Sequence, residues 1–155
     1  MSQSSERDAE IKSDAVRIAR IMGLSNWRQM TELALVMEIE SGLPLKAVEN
    51  VAHVIGQGDK KIKFEILSRS TFSRLQNRKN KQLSKDISEK LHGITRVIDQ
   101  AMRLWNSDKS AVTRFLYRPH PLLAGRTPLD VAKQSTVGAD LVVKIIGEAR
   151  AGVAA

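Results

Sequence analysis

The chain has 155 residues, enough for one domain or two small ones that share a core, and too few for a large multidomain enzyme. Its 25 Lys and Arg outnumber its 17 Asp and Glu, and the resulting net charge of +8 favours polyanionic partners or acidic protein surfaces. The absence of Cys excludes disulfides, thiolate metal sites and a cysteine nucleophile, and it fits a cytoplasmic protein.

The N-terminal segment and the apolar runs bear on targeting. Residues 1–10 are polar and mixed in charge, so we expect no secretory signal. The longest charge-free apolar run covers residues 33–37, far fewer than the roughly 20 residues of a membrane-spanning helix, so we expect no membrane partner. Aromatic residues make up only 4% of the chain, which predicts an aliphatic core and favours helices.

Apolar residues at helical spacing predict three helices in the N-terminal half. The first spans residues 6–22 and stops at Gly23. The second begins near Trp27 and ends at Gly42, and the third follows Pro44. A loop is expected at residues 56–59. The expected apolar faces consist of Met30, Leu33, Ala34 and Met37 in the second helix and Val48, Val51, Ala52 and Ile55 in the third.

The longest helical pattern covers residues 84–105, with Ser84 as the expected N-cap. Gly93 lies inside it at a cost of about 1 kcal/mol relative to Ala, which indicates close helix packing or a local bend. The prolines around His120 predict a turn, and Thr127 followed by Pro128 is typical of a helix start. The fold class predicted is all-α, with seven to nine helices arranged as a bundle.

The last apolar segment is amphipathic and uses Leu141, Val142, Ile145, Ile146 and Ala149. It is followed by the small residues 151–155, which carry no charged anchor. We therefore expect this tail to be mobile when the protein is free.

Positive charge is concentrated in residues 60–90, which hold ten Lys or Arg and three Asp or Glu. A helix with hydroxyl and guanidinium groups in its opening turn lies inside this segment, preceded by a short helix at residues 61–67. The amino end of a helix attracts phosphate and Arg reads base edges in the major groove, so this composition suits a recognition helix. The predicted DNA-binding residues are Lys61, Lys63, Arg69, Ser70, Thr71, Ser73, Arg74, Arg78, Lys79 and Lys81, with Lys60 as a further phosphate contact. The alternative interpretation is a solvated basic face that only keeps the protein soluble.

The residue types used in catalysis show no catalytic pattern. His53, His92 and His120 have no metal-ligand spacing, and His120 is better explained as a residue that orders a loop than as a partner contact. We find no phosphate-binding glycine loop, no nucleophile elbow and no isolated pair of carboxylates, so neither enzyme activity nor a cofactor is predicted. Trp27 and Trp105 occupy apolar helix positions, which predicts core packing rather than base stacking.

Residues 115–130 resemble the Xre/MbcA/ParS antitoxins. Phe115-Leu116 stands where that family has a Trp-Leu pair, Pro119 matches a proline, and residues 123–130 match its Leu-Gly-Gly-Arg-x-Pro-Leu-Asp run with Ala124 in place of the first Gly. Residues 70–76 resemble the family's helix-turn-helix run, although two expected basic residues are missing there. The resemblance covers about residues 42–152.

The resemblance implies an antitoxin that inhibits a RES-domain toxin, an enzyme that degrades NAD or transfers ADP-ribose. It implies a helix-turn-helix part at residues 1–105 and a C-terminal toxin-binding part at residues 106–155. The resemblance implies that the C-terminal part closes the toxin's NAD cleft. The toxin contacts that it implies are Arg118, Arg126, Arg150, Gly152, Val153, Ala154 and Ala155. For Arg126 a structural role beside the Thr127 cap is equally expected.

The hypothesis that unites these features is a dimeric or larger antitoxin that also binds operator DNA to repress its own promoter. A stand-alone helix-turn-helix transcription regulator or small chromosome-binding protein is the alternative, and in it the C-terminal helices would serve only dimerisation. A hydrolase or transferase is a third possibility without a motif to support it.

Overall fold

The computed structural model describes residues 13–56 and 58–154, and it describes Val153 and Ala154 by their backbone only. Within these residues the chain forms α-helices and two short 3₁₀ turns, and no strand. This confirms the predicted all-α fold. The helices are α1 (Asp14–Met22), α2 (Glu32–Ser41), α3 (Leu45–Gly56), α4 (Lys63–Ile66), α5 (Arg69–Gln76), α6 (Lys85–Leu104), α7 (Lys109–Tyr117), α8 (Pro128–Gln134) and α9 (Thr136–Ala154), and the 3₁₀ turns are Trp27–Gln29 and Pro121–Leu123.

Short polar side chains fix where many of these helices begin. The Ser84 hydroxyl accepts a hydrogen bond from the Ile87 amide at the start of α6, and Thr127 accepts one from Asp130 at the start of α8. Each bond satisfies an amide that the helix itself leaves without a partner. Both caps lie where the sequence predicted them, which is why the starts of α6 and α8 were predictable.

The long helix α6 lies at the centre of the molecule. It packs against α1 on one side and against α8 and α9 on another. Leu91, Val97 and Ile98 on α6 are fully buried. A Cβ added at Gly93 would lie only 2.8 Å from the Cβ of Ala139 on α9, so the predicted close packing at Gly93 is confirmed.

An ion pair ties α1 to the centre of α6. The carboxylate of Asp99 is almost completely buried, and it accepts hydrogen bonds from Arg17 Nε at 2.8 Å and from a terminal guanidinium nitrogen of Arg17 at 3.2 Å. Arg17 also bonds to Asp14. Two charge-assisted bonds to one buried carboxylate hold α1 in a fixed orientation.

Helix α7 links the two halves of the chain. The Thr113 hydroxyl donates to the backbone carbonyl of Ile55 at 2.8 Å, and the Tyr117 hydroxyl donates to Glu65 Oε2 at 2.8 Å. Val112 and Leu116 point into the core. The short helices around residue 65 and the C-terminal region therefore share α7 as a common support.

Two predicted helix boundaries differ from the structure. Ser13 is an extended N-cap, so one unbroken helix over residues 6–22 is wrong, and residues 6–12 lie outside the described residues. The predicted second helix breaks into a 3₁₀ turn and α2, because Thr31 caps a new helix start. Helix α9 continues through Ala154, because alanine is a strong helix former, and Ala155 lies outside the described residues. The mobility of residues 151–155 in the free protein stays a prediction.

Candidate nucleic-acid and toxin interfaces

Helix α5 has one buried face and one exposed polar face. Phe72 and Leu75 are buried in the core. Ser70, Ser73 and Arg74 are exposed, and their spacing of three and four residues places them on one side of the helix. The Ser68 hydroxyl caps the helix by accepting from the Thr71 amide at 3.3 Å, and it donates to the Thr71 hydroxyl. Three of the predicted recognition residues therefore share a solvent-facing surface, while Thr71 is half-buried.

Two of the predicted DNA contacts are engaged with neighbouring aromatic rings. The ammonium of Lys63 lies 4.6 Å from the ring centre of Phe72, and the guanidinium of Arg69 lies 4.1 Å from that of Phe64. Lys63 also forms a 3.7 Å ion pair with Glu49. These cation–π contacts pack the turn between α4 and α5. Their roles as DNA contacts stay predictions.

The remaining basic residues are exposed around α5. Lys60 and Lys61 precede α4, and Arg78, Lys79 and Lys81 follow α5. Backbone bonds from Leu45 N to Lys81 O and from Leu83 N to Leu43 O fasten the second group to the start of α3. The surface around α5 therefore combines a polar helix face with a flanking, anchored basic segment, as phosphate contacts require.

A pocket of about 330 Å³ lies between the end of α6, α7 and the following turn. Its floor contains the rings of Trp105 and Phe115, whose centres are 5.2 Å apart, and the edge of His120. Arg114 and Arg118 line it and are exposed. The pocket is therefore apolar at its base and positively charged at its rim.

The turn that closes this pocket is fixed by its own hydrogen bonds. His120 Nδ1 accepts from the Leu122 amide at 3.2 Å, and the His120 amide donates to the carbonyl of Arg126. Ala124 adopts a left-handed conformation with φ of 55°. The interpretation of His120 as a residue that orders a loop is confirmed, and its bond to the Leu122 amide leaves Nε2 as the ring's other hydrogen-bonding atom.

Two protein families match consecutive parts of the chain. Residues 34–96 match the antitoxin Xre-like helix-turn-helix domain, and residues 100–152 match the antitoxin Xre/MbcA/ParS C-terminal toxin-binding domain. The chain belongs to the Xre/MbcA/ParS antitoxin family. No curated protein and no solved structure gives a significant match.

Family membership gives the two matched parts of the chain their general roles. The surface around α5 lies in the antitoxin's helix-turn-helix domain and the aromatic pocket lies in its toxin-binding domain, so the protein is a DNA-binding antitoxin of a toxin–antitoxin system. The two matched domains are regulatory rather than enzymatic. No helix among residues 13–56 and 58–154 is long and apolar enough to cross a membrane.

The residues predicted to contact the toxin do not lie in one cluster. Arg118 and Arg126 flank the turn at residues 118–127, and both are exposed. Arg150 is half-buried on α9, and its guanidinium donates to Gln100 Oε1 on α6 at 2.9 Å. Gly152 is exposed, whereas the side chains of Val153 and Ala154, and all of Ala155, lie outside the described residues. Their roles stay predictions.

The sequence patterns placed some large apolar side chains of the antitoxin correctly and others wrongly. Trp27 and Trp105 pack against the core, as predicted, and both are half-buried. The guanidiniums of Arg20 and Arg28 lie 5.1 and 4.4 Å from the centre of the Trp27 ring, which sits in a 3₁₀ turn. Leu33 and Met37 were expected on a buried face, but they are 69% and 58% exposed. The pocket around Trp105 had no signal in the sequence, because it depends on how α6 and α7 meet.

Proposed function

We propose that this antitoxin neutralises a RES-domain toxin, an enzyme that consumes NAD or transfers ADP-ribose, by occluding its active site, and that it represses its own operon by binding operator DNA. The observation that carries the proposal is that one compact chain joins a solvent-facing helix-turn-helix surface to a toxin-binding domain. The boundary between residues 105 and 106 is part of this proposal, with α6 as the last element of the first part.

Operator reading is assigned to the exposed face of α5. Arg74 is exposed, carries no ion pair among the described residues and lies beside Ser70 and Ser73 on the same face. A guanidinium in the major groove forms two bonds with guanine, and each such contact contributes about 1 to 3 kcal/mol of discrimination. Arg78, Lys79 and Lys81 supply phosphate contacts that give affinity without reading sequence.

The DNA assignment is tested with Arg74→Ala, and with Lys144→Ala as a control at an exposed residue of α9, outside the proposed surface. Binding is measured by fluorescence anisotropy on the DNA upstream of the chain's own gene and on a scrambled duplex of the same length. We expect Arg74→Ala to weaken operator binding by at least tenfold and scrambled binding by much less, with affinity falling steeply as salt rises. Equal losses on both duplexes would contradict base reading by Arg74.

Two copies of the antitoxin are proposed to act together on the operator. Helix-turn-helix proteins commonly place two recognition helices in successive major grooves, which requires a dimer. Light scattering during size-exclusion chromatography, with and without toxin, gives the number of chains directly. A monomer that retains full operator affinity would contradict this part of the proposal.

Toxin inhibition is assigned to the C-terminal part, including Arg126, Arg150 and residues 152–155. The bond from Arg150 to Gln100 holds the Arg150 guanidinium against α6. Insertion of this arginine into the toxin would have to break a hydrogen bond from a charged group, which has a net value of about 1.5 to 3 kcal/mol. The truncated chain lacking residues 150–155 is compared with the full chain for inhibition of NAD consumption by the toxin. Full inhibition by the truncated chain would eliminate the tail as the blocking element.

A further inference from the structure

The pocket between α6, α7 and the 118–121 turn has the composition of a protein-recognition site. Its base is aromatic, from Trp105 and Phe115, and its rim carries Arg114 and Arg118. Trp and Arg are enriched at the centres of protein interfaces, where an apolar anchor is surrounded by polar contacts. A volume of about 330 Å³ is at the small end for ligand sites, which suits a few side chains of a partner.

The charge of this pocket defines the chemistry of its occupant. Two guanidiniums line the pocket and no carboxylate does. Among the described residues neither Arg114 nor Arg118 forms an ion pair, whereas Arg17, Arg96 and Arg103 each do. Exposed guanidiniums beside an apolar base are complementary to a segment that carries both an apolar side chain and carboxylates.

Helix α7 presents this surface in a fixed orientation. Residues 111, 114 and 115 share one side of α7 and line the pocket, and Arg118 lines it from the residue that ends the helix. Thr113 and Tyr117, on another side of α7, bond to Ile55 and Glu65. His120 is locked by its bond to the Leu122 amide. The pocket is therefore formed before a partner arrives, which reduces the entropy lost on binding.

We propose that this pocket receives an acidic segment of the toxin, with an apolar side chain on Trp105 and Phe115 and carboxylates against Arg114 and Arg118. This inference rests on the proposed function, because it names the contact by which the toxin-binding domain holds its partner. It assigns to the toxin a surface segment that is acidic and apolar, separate from the cleft that the antitoxin's tail is proposed to enter.

The test uses the full-length antitoxin and the purified toxin, and measures the dissociation constant by calorimetry or surface plasmon resonance. The double variant Arg114→Glu/Arg118→Glu reverses the rim charge; both side chains are exposed, so the melting temperature should not change. Lys109→Glu is the matched control, because Lys109 is exposed on the same helix but does not line the pocket. We expect at least tenfold weaker toxin binding by the double variant, and a change within about twofold for the control.

A second measurement locates the contact without relying on affinity. Because the chain has two tryptophans, labelling it with 5-fluorotryptophan gives two ¹⁹F resonances, assigned with Trp27→Phe. Addition of unlabelled toxin should move the Trp105 resonance and leave that of Trp27 in place. A shift of Trp27 alone would overturn the proposal.

The outcomes separate this inference from the proposed function. If the wild-type chain binds and inhibits the toxin but the double variant binds equally well, the pocket is not the contact and the proposed function stands. If the double variant loses operator affinity and keeps toxin affinity, the arginines belong to the DNA surface and the inference is wrong. If the wild-type chain does not bind the toxin, the proposed function fails and the inference fails with it.

Discussion

Replacing Asp99 with Ala removes the carboxylate that joins α1 to α6. Asp99 is 2% exposed and accepts two bonds from Arg17, whose side chain is 15% exposed. Removing one partner of a buried ion pair costs about 3 to 5 kcal/mol, because the other charge stays desolvated. Arg17 keeps Asp14 as a second partner, so we expect the lower end of this range, about 3 kcal/mol.

Urea unfolding followed by circular dichroism measures this loss. For a chain of this size a loss of about 3 kcal/mol lowers the melting temperature by roughly 6 to 12 °C. The matched control is Asp140→Ala, because the Arg96–Asp140 pair also bridges two helices but its side chains are 30% and 56% exposed. An exposed pair contributes at most about 1 kcal/mol. If Asp99→Ala destabilises the protein no more than Asp140→Ala does, the buried pair does not hold α1 as described.

Three further predictions concern backbone strain, packing and pH. Ala124 has a positive φ of 55°, which costs about 1 kcal/mol for alanine. Ala124→Gly removes this cost but raises the entropy of the unfolded chain, so it should stabilise the fold by about 0.5 kcal/mol. Gly125 has φ of 79°, so Gly125→Ala should destabilise the fold by about 1 kcal/mol in the same urea assay. Gly93→Ala gains about 1 kcal/mol of helix propensity, but its Cβ would lie 2.8 Å from that of Ala139, and overpacking costs about 1 to 3 kcal/mol. Urea unfolding should therefore show a net loss of about 1 kcal/mol in the free energy of unfolding. A stabilised variant would contradict the packing described. Burial, with the neighbouring Arg96 adding to its effect and Asp140 opposing it, lowers the pKa of His92 to about 4, so the unfolded chain binds more protons than the folded one between pH 6.5 and 4. The contribution of His92 should therefore be complete above pH 6.5 and fall by about 2 kcal/mol between pH 7 and pH 5, and His92→Gln should remove that part of the pH dependence in unfolding measured at the two pH values.

Local features of the chain were predictable because a few neighbouring residues determine them. Ser84 and Thr127 cap helices in the structure as the sequence predicted, because each hydroxyl bonds to an amide three residues ahead. The polar face of α5 was also predictable, since the spacing of Phe72 and Leu75 fixes which side of that helix is buried. The C-terminal part could be identified from residues 123–130, because the turn and the start of α8 are determined by consecutive residues in this segment.

Features that depend on distant parts of the chain were not predictable from periodicity. Leu33 and Met37 lie at helical spacing from buried residues, but no helix within the described residues covers that side of α2. Trp105 occupies an apolar position of the helical pattern, which is typical of a core residue. It lines a pocket because α7 turns back beside the end of α6. The bond from Arg150 to Gln100, which lies 50 positions earlier, had no signal in the sequence, and the role of Arg150 as a toxin contact stays a prediction.

Inhibition of a RES-domain toxin by this antitoxin is tested most directly by the activity of the toxin in its presence. The toxin is purified alone and as the co-expressed complex, the stoichiometry is determined by light scattering, and NAD consumption is followed by mass spectrometry. We expect a defined complex without NAD consumption, and recovery of activity once the antitoxin is removed by unfolding and refolding of the toxin. A stable complex that consumes NAD as fast as the free toxin would contradict inhibition by the antitoxin. Operator binding with no toxin complex at all would contradict it too and would favour a stand-alone transcription regulator.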